Sequence, residues 1–376
     1  MNYNDIRPYN DAEIQDAVRR ILKNPSVYVI SKYLWPNRPF WKLASMMKKV
    51  RSVDDFQIGV MYDVVEAIER KTTDGVTADM HFAPADRKFL AVSNHRDIVL
   101  DPAFIQRSLV DAGISTTRVC AGNNLLANQL IIDLMKVNKM VIVKRGLKAR
   151  ELLEVSTQLS SYIRESITSS ESSVWIAQRG GRAKTGQDLT ETSVLKMFDL
   201  SGDSTFADNF SELNILPLSI SYEYESCDAL KAREVLISRT RAGHYVKKKG
   251  EDTNSILTGI RQKKGRVHIQ TAEPVTRQEL EAISELPRVE RYNRLAELID
   301  ARIISSYKLF KTNYIGYDLM CGSSKYLGTE YSQSDLNDFK RYADKKLKEV
   351  SKGLDENELR QIFYEIYGNP VKSKFD

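Results

Sequence analysis

The sequence predicts an α/β fold in which a central sheet is flanked by helices and extended by helical regions at both ends. Two observations lead to this prediction. Short apolar segments of strand length recur through the middle of the 376-residue chain, and segments of helical character separate them. Strands that alternate with helices in this way are typical of a sheet built from crossover connections.

Residues 1–80 are predicted to form a helical N-terminal region. Ile14, Val18 and Ile21 repeat at helical spacing near the start of the chain. Residues 33–51 then place aromatic and methionine side chains next to a basic cluster. Such a segment either contacts a bilayer interface or forms a packed helix pair with an exposed basic edge, and the helix pair is favoured.

Residues 81–275 are predicted to form the α/β domain. The predicted strands, each a short apolar run, lie at residues 89–93, 118–121, 140–144, 174–177, 215–222 and 267–273. The predicted helices between them lie near residues 102–112, 125–137, 147–167 and 190–199. Because the ends of parallel strands meet at one edge of a sheet, the residues that follow these strands are candidates for the functional site.

Residues 276–376 are predicted to form a helical C-terminal region that packs on the α/β domain. Long helices are expected at residues 276–312 and 332–367, where the sequence shows helical character throughout.

The charge balance suits an anionic partner. Lys and Arg number 56 against 50 Asp and Glu, which gives a net charge of +6. Residues 239–266 are strongly basic and include Arg239, Arg241, Lys247 and Lys249. A solvated surface and a site for an anion or a membrane are equally favoured there. Nucleic acid is not expected as a partner, because aromatic residues do not interleave with these basic residues.

Cysteine content and hydropathy favour a cytoplasmic protein with peripheral membrane contact. Cys120, Cys227 and Cys321 are odd in number and far apart, which argues against a disulfide framework and against a zinc cluster. The first residues are not those of a signal or transit peptide. No run approaches the roughly 18 apolar residues of a membrane span. Any contact with the inner face of the membrane is therefore expected to be peripheral.

His95 is the histidine that the sequence marks out for chemistry. It follows an apolar strand-like run and precedes Asp97 and Asp101, and the other histidines are His81, His244 and His268. Imidazole can take a proton from an alcohol near neutral pH, and an aspartate can orient the ring. Asn94 either supports this loop or helps to hold an oxyanion.

Other classes of enzyme are not supported. The GxSxG nucleophile elbow of a serine hydrolase and the GxxxxGK[ST] loop of a phosphate-binding NTPase are both absent from the sequence. Four scattered histidines with three cysteines are too few for a typical metal site.

Four segments, in order, resemble the conserved blocks of glycerol-3-phosphate and lysophosphatidate (1-acylglycerol-3-phosphate) acyltransferases. They are NHRDIVLDPAFI at 94–105, NKMVIVKR at 138–145, VWIAQRGGR at 174–182 and ILPLSIS at 215–221. The resemblance implies a mixed sheet flanked by helices and an O-acyltransferase of phospholipid biosynthesis. It covers roughly residues 85–225 and leaves 1–80 and 240–376 without a match.

The resemblance also implies a mechanism. His95 would take the proton of the acceptor hydroxyl, which then attacks the thioester of acyl-CoA or acyl carrier protein, with no cofactor and no acyl-enzyme. The acceptor would be a lysophospholipid or a glycerol phosphate. The expected substrate-binding residues are Asn94, Lys144, Arg145, Arg179, Gly180, Gly181 and Arg182.

Two departures from the family pattern leave questions open. The family places its aspartate five residues after the histidine, where this chain has Leu100, so either Asp101 or Asp97 orients His95. The one left over is expected to cap a helix or to lie in its first turn. Arg179 occupies the position of the glutamate that engages the acceptor. The alternative to an enzyme is therefore a homologue that binds lipid or acyl-CoA without turnover.

Overall fold

A computed structural model describes residues 1–240, 245–248 and 250–376. Arg241, His244 and Lys249, which were considered in the sequence, lie outside the described residues. In the part of the chain that the structure describes, no helix is both long and apolar enough to cross a membrane.

The described strands form one seven-stranded mixed sheet. In chain order they are β1 (Thr73–Asp79), β2 (Leu90–Ser93), β3 (Arg118–Gly122), β4 (Met140–Val143), β5 (Val174–Ala177), β6 (Ile215–Tyr222) and β7 (Gly265–Thr271). Their order across the sheet is β1-β7-β6-β2-β5-β3-β4. Neighbouring strands run parallel, apart from the antiparallel pair of β6 and β7. The predicted α/β class with a mixed sheet is confirmed.

Helices precede, separate and follow the strands. Before β1 lie α1 (Asp11–Lys23), α2 (Pro25–Leu34), α3 (Phe40–Lys49), α4 (Val53–Phe56), a π-helical turn (Gln57–Met61) and α5 (Tyr62–Thr72). Between strands lie α6 (Leu100–Asp111), a 3₁₀ turn (Asn123–Leu125), α7 (Gln129–Val137), α8 (Ala149–Thr168), α9 (Thr192–Asp199), α10 (Phe206–Ser211), α11 (Asp228–Thr240) and α12 (Glu251–Arg261). After β7 lie α13 (Arg277–Ser284), α14 (Arg288–Ser305), α15 (Lys311–Cys321), α16 (Gln333–Lys348) and α17 (Glu356–Phe375).

Each face of the sheet packs against its own set of helices. Side chains alternate between the faces along a strand, so Val174 and Ile176 of β5 face one side while Trp175 faces the other. We call the first side the α8 face, because α8, α9 and α14 cover it. The second side is the α6 face, which packs against α5 and α6.

The N-terminal helices have a core of their own. Ile14, Val18 and Ile21, the side chains whose spacing predicted a helix, are buried there together with Phe56 of α4. Helix α7 completes this core, which joins the N-terminal helices to the α/β domain.

The C-terminal helices α15 and α17 pack at very short range. A Cβ atom on Gly316 would lie 2.5 Å from the Tyr367 Cβ, and one on Gly368 would lie 2.9 Å from the Tyr317 backbone. Glycine is therefore needed where the two helix backbones meet. Helix α17 also packs on α11, which ties this region to the α/β domain.

Two segments differ from the sequence prediction. Strand β1 lies inside residues 1–80, which were predicted to be helical, because a polar edge strand has no apolar run to reveal it. The predicted helix 276–312 is three helices, and Pro287 separates the first two. The predicted helix 332–367 is two, with Gly353 in the left-handed conformation between them.

Candidate active site

The loop between β2 and α6 brings His95 and Asp101 into contact. The Nδ1 atom of His95 lies 2.8 Å from Oδ2 of Asp101, which sits in the first turn of α6. An ionised carboxylate only accepts hydrogen bonds, so Nδ1 carries the proton and Nε2 keeps its lone pair. His95 lines a large cavity. The ring therefore has the tautomer that a general base requires.

Asp101 is fully buried and accepts several hydrogen bonds. Its Oδ2 also accepts from the backbone N–H groups of Arg96 and Asp97, and its Oδ1 accepts from the Tyr222 hydroxyl at 2.7 Å. Burial alone raises the pKa of the Asp101 carboxyl, but the hydrogen bonds from His95 and Tyr222 outweigh it and hold the pKa below its ordinary value. The residue therefore remains an anion at neutral pH.

Asp97 has a different role from the orienting role that the sequence left open for it. Its Oδ1 accepts from the backbone N–H groups of Val99 and Leu100 at 2.9 and 2.8 Å, and its Oδ2 accepts from Ser226 Oγ. These are the hydrogen bonds of a residue that caps the start of α6. Of the two candidates, the structure places Asp101 against the ring of His95 and Asp97 at the helix start.

Asn94 is fully buried and does not line the cavity. Its side-chain oxygen accepts from the Ile220 N–H at 2.8 Å, and its amide nitrogen donates to the Ile220 carbonyl at 3.0 Å. The side chain thus joins the loop to β6. These contacts agree with the predicted support of the loop, and the assignment of Asn94 among the substrate-binding residues stays a prediction.

Two residues that support His95 were not singled out from the sequence. Trp175 of β5 meets the imidazole edge to face, with ring centroids 5.9 Å apart. Tyr222 ends β6 and donates to Asp101. Trp175 lies in the third block, and Tyr222 directly follows the fourth. The position of Tyr222 at the end of a predicted strand was the sequence signal by which it could have been identified.

Side chains from the N-terminal helices, from the sheet and from the helices of the α/β domain enclose the cavity. It has a volume of about 1320 Å³ and lies at the carboxyl ends of β3, β4 and β5. Part of it extends along the α6 face, and we call this part the α6 arm; its walls include Val64, Ile68, Ala103, Met140, Trp175 and Ile260. The other part extends along the α8 face, and we call it the α8 arm; its walls include Val143, Val155, Leu159, Ile176, Val194 and Met197.

The second block contributes Lys144 and Arg145 to the cavity wall, as the sequence predicted for strand-end residues. Lys144 also forms an ion pair with Asp5. The guanidinium of Arg145 lies close to Gly122. A Cβ atom placed on this glycine would be 3.4 Å from the guanidinium carbon of Arg145. Arg145 is exposed and available to an anion.

The third block forms a turn next to His95. The backbone N–H of Gln178 donates to Ser93 at 2.8 Å, and that of Ala183 donates to the His95 carbonyl at 2.8 Å. Gly181 has a φ of 89°, a left-handed conformation that favours glycine and allows the tight turn.

Glu191 reaches back to this turn and was not identified from the sequence. Its carboxylate accepts from the Gly180 N–H at 3.1 Å and lies 3.7 Å from the guanidinium of Arg179. Glu191 and Arg179 both line the cavity. A carboxylate is therefore present beside the position where the family has its glutamate, although another part of the chain supplies it.

Arg182 is the buried cation of the turn. Only 8% of the residue is exposed, yet its Nη1 atom has no hydrogen-bond partner among the described residues. A buried guanidinium without a partner is costly unless an anion binds there. Its place in the cavity wall suits the phosphate-binding role that the sequence predicted.

Comparison with known proteins agrees with this geometry. Residues 76–220 match the family model described as acyltransferase. Among solved structures, the chain aligns with the 1-acyl-sn-glycerophosphate acyltransferase of Thermotoga maritima at a TM-score of 0.40 and 15% identity, over 77% of this chain and 95% of that one. No curated protein matches the sequence. Residues 76–220, which contain the His95–Asp101 pair, the first three blocks and all but the last residue of the fourth, are therefore similar to the acyltransferase family.

Proposed function

We propose that this protein moves a fatty acyl group from the thioester of acyl-CoA or acyl carrier protein to a hydroxyl of a glycerolphosphate-type or lysophospholipid acceptor, as a step of phospholipid biosynthesis. One observation carries the proposal. His95, which is bonded to the buried Asp101, lines a cavity whose wall has two apolar arms and the guanidinium of Arg182, and the Nη1 atom of Arg182 has no hydrogen-bond partner among the described residues. A base, an anion site and a hydrocarbon site are the three components that this reaction requires.

The proposed chemistry is a direct transfer. Nε2 of His95 accepts the proton of the acceptor hydroxyl as its oxygen attacks the thioester carbonyl carbon. The tetrahedral intermediate then collapses as the carbon–sulfur bond breaks, and the imidazolium returns the proton to the departing thiolate. Asp101 stabilises the imidazolium between these steps, because it stays ionised and bonded to Nδ1.

The acceptor phosphate is proposed to bind at the third block. Arg182 supplies the Nη1 atom that lacks a hydrogen-bond partner among the described residues, and the turn of Gly180 and Gly181 lets backbone groups approach an anion closely. Arg145 and Arg179 add positive charge to the same wall of the cavity. Several fixed contacts to one phosphate would orient the acceptor hydroxyl toward His95.

The α6 arm is the proposed channel for the donor's acyl chain. Its wall includes Trp175, which packs against the ring of His95, so a chain in this arm ends beside the base. The sequence required such a channel but did not reveal its position.

Peripheral contact with the inner face of the cytoplasmic membrane is proposed through α2 and α3. Tyr28, Val29 and Ile30 of α2 are exposed together, and Trp41 of α3 is 65% exposed. Val29 and Ile30 also line the cavity, so a membrane on this surface would lie next to the α6 arm.

The activity can be tested by following the release of free thiol from a long-chain acyl-CoA in vesicles that contain lysophosphatidate. We expect turnover by the wild type and a loss of at least about a hundredfold in His95→Ala, because general base catalysis contributes on this order. His81→Ala is the matched control, since His81 is an exposed histidine outside the cavity wall.

A negative result has a defined meaning. If neither acyl-CoA nor acyl carrier protein releases thiol with any lysolipid acceptor, and Arg179→Glu does not create activity, the chain is not an acyltransferase. Binding of lipid without turnover would then favour the alternative function, a binding protein in which Arg179 has replaced the family glutamate.

A further inference from the structure

The cavity is larger than one chain-binding pocket needs and extends along both faces of the sheet. Its volume of about 1320 Å³ exceeds the roughly 300–1,000 Å³ of common small-ligand pockets. The α6 arm and the α8 arm lie on opposite sides of β3, β4 and β5 and meet at the ends of these strands. A single acyl channel accounts for one arm only.

The α8 arm has the apolar wall of a hydrocarbon site. Leu159 is buried, and Val155, Val194 and Met197 are partly buried, with their side chains turned to the cavity. Val143 and Ile176 complete the wall from the sheet. Burial of hydrocarbon against such side chains is favourable, whereas a strongly polar ligand would lose its hydration there.

The two ends of the α8 arm suggest which molecule occupies it. At its inner end lie Arg179 and Gly180 of the third block. At its outer end Leu152 lines the cavity while 44% exposed, and the adjacent Leu153 is 57% exposed. An opening bordered by exposed leucines suits a molecule that enters from a lipid layer.

We propose that the α8 arm binds the hydrocarbon chain of the acceptor, so that the site holds two chains at once and selects a single-chain lysophospholipid over free glycerol phosphate. This inference rests on the proposed function and specifies its acceptor. The phosphate binds to Arg179 and Arg182, the acceptor chain extends along the α8 face, and the donor chain extends along the α6 face beside Trp175.

Binding to His95→Ala tests the inference without turnover. The probes are a thioether analogue of palmitoyl-CoA, which cannot transfer its acyl group, and ether-linked lysophosphatidates with chains of increasing length. We expect one molecule of each to bind at the same time, with acceptor affinity rising by up to about fourfold for each added methylene that becomes buried.

Two matched substitutions test separately what each arm binds. Met197→Trp fills the α8 arm and should weaken binding of lysophosphatidate at least tenfold, remove its dependence on chain length and leave the acyl-CoA analogue within twofold of wild type. Ile260→Trp fills the α6 arm and should have the opposite effect. Leu200→Trp is the control, because Leu200 is an exposed residue beyond the end of α9 and outside the cavity.

Val194→Phe replaces Met197→Trp if the latter does not fold, as judged by circular dichroism. Competition between the two probes for one site would overturn the inference, as would a loss of donor affinity on filling the α8 arm. Turnover of glycerol 3-phosphate as efficient as that of lysophosphatidate would also overturn it while leaving the proposed function intact. Simultaneous binding of both probes to His95→Ala, combined with no thiol release by the wild type from palmitoyl-CoA and lysophosphatidate, would instead refute the proposed function alone.

Discussion

At the scale of single residues, the site depends on how two neighbouring aspartates divide their roles. Asp101 accepts from His95, from two backbone N–H groups and from Tyr222, so both of its oxygens are in use. Asp97 accepts from two backbone N–H groups at the start of α6 and from Ser226. One carboxylate therefore acts on the imidazole and the other on the helix start.

Replacing each aspartate by asparagine should separate these roles. In Asp101→Asn one acceptor oxygen becomes a donor, the histidine tautomer is no longer held, and kcat should fall by about 10³–10⁴. Asp97→Asn keeps the oxygen that caps α6, so kcat should stay within about fivefold, while loss of the acceptor for Ser226 should lower the free energy of unfolding by about 1 kcal/mol. Thiol-release kinetics and urea unfolding of both variants measure these effects. Equal losses of kcat would contradict the assignment.

At the scale of elements, helix α14 holds the segment that connects the third block to α9. Asp300 of α14 accepts from the backbone N–H of Thr190 at 2.9 Å and from its hydroxyl at 2.6 Å. Burial raises the pKa of Asp300 to about 6, although the hydrogen bonds from Thr190 act in the opposite direction. Since Thr190 directly precedes Glu191, the hydrogen bonds between Thr190 and Asp300 also help to position the carboxylate of Glu191, which contacts Arg179 and Gly180.

The raised pKa of Asp300 predicts a pH-dependent difference in stability. An acid with a folded pKa above its unfolded value contributes stability that is present below the unfolded pKa, near pH 4, and is lost as pH rises through about 6. Asp300→Asn keeps an acceptor for Thr190 but does not ionise. Its melting temperature relative to wild type should therefore rise by a few degrees between pH 4 and pH 7.

Thermal unfolding at a series of pH values measures this difference. Glu290→Gln is the control, because Glu290 is an exposed carboxylate on the same helix that does not contribute to the raised pKa of Asp300. Its substitution should show no such trend. A difference for Asp300→Asn that does not change with pH would show that the carboxylate ionises equally easily in the folded and unfolded chains.

At the scale of the whole molecule, one surface combines exposed apolar side chains with access to the cavity. Tyr28, Val29, Ile30 and Trp41 form its apolar part on α2 and α3, and Lys42, Lys48 and Lys49 are exposed beside them. Aromatic and basic residues together suit the surface of a bilayer that contains anionic lipid. A substrate with a hydrocarbon chain could then pass from the membrane into the α6 arm.

Trp41→Ser should weaken binding to vesicles of anionic phospholipid by about tenfold, because the indole no longer enters the apolar layer. Co-sedimentation with vesicles measures the affinity. Val289→Ser is the matched control, since Val289 is an exposed apolar residue on α14, outside this surface. Equal binding by wild type and Trp41→Ser would place the membrane contact elsewhere or exclude it.

Much of the fold was predictable because its signals are local. The buried strands β2 to β6 are short apolar runs, and each was predicted to within about two residues of its observed ends. Strand β1 was missed because it is polar and belongs to the sheet only through its pairing with β7. The breaks at Pro287 and Gly353 were visible as residue types, but helical character on both sides outweighed them in the prediction.

By itself the sequence determined the four blocks, the proposed base His95 and the basic residues at the strand ends, because these depend on residue type and spacing along the chain. Only the tertiary structure showed that Asp101 rather than Asp97 contacts the ring of His95 and that Asn94 bonds to β6. It also showed that Glu191 lies beside Arg179 and that the cavity has an apolar arm on each face of the sheet. The physical reason is that hydrogen bonds and cavities form between atoms that are close in space, and loop dihedrals and packing set those distances independently of separation in sequence.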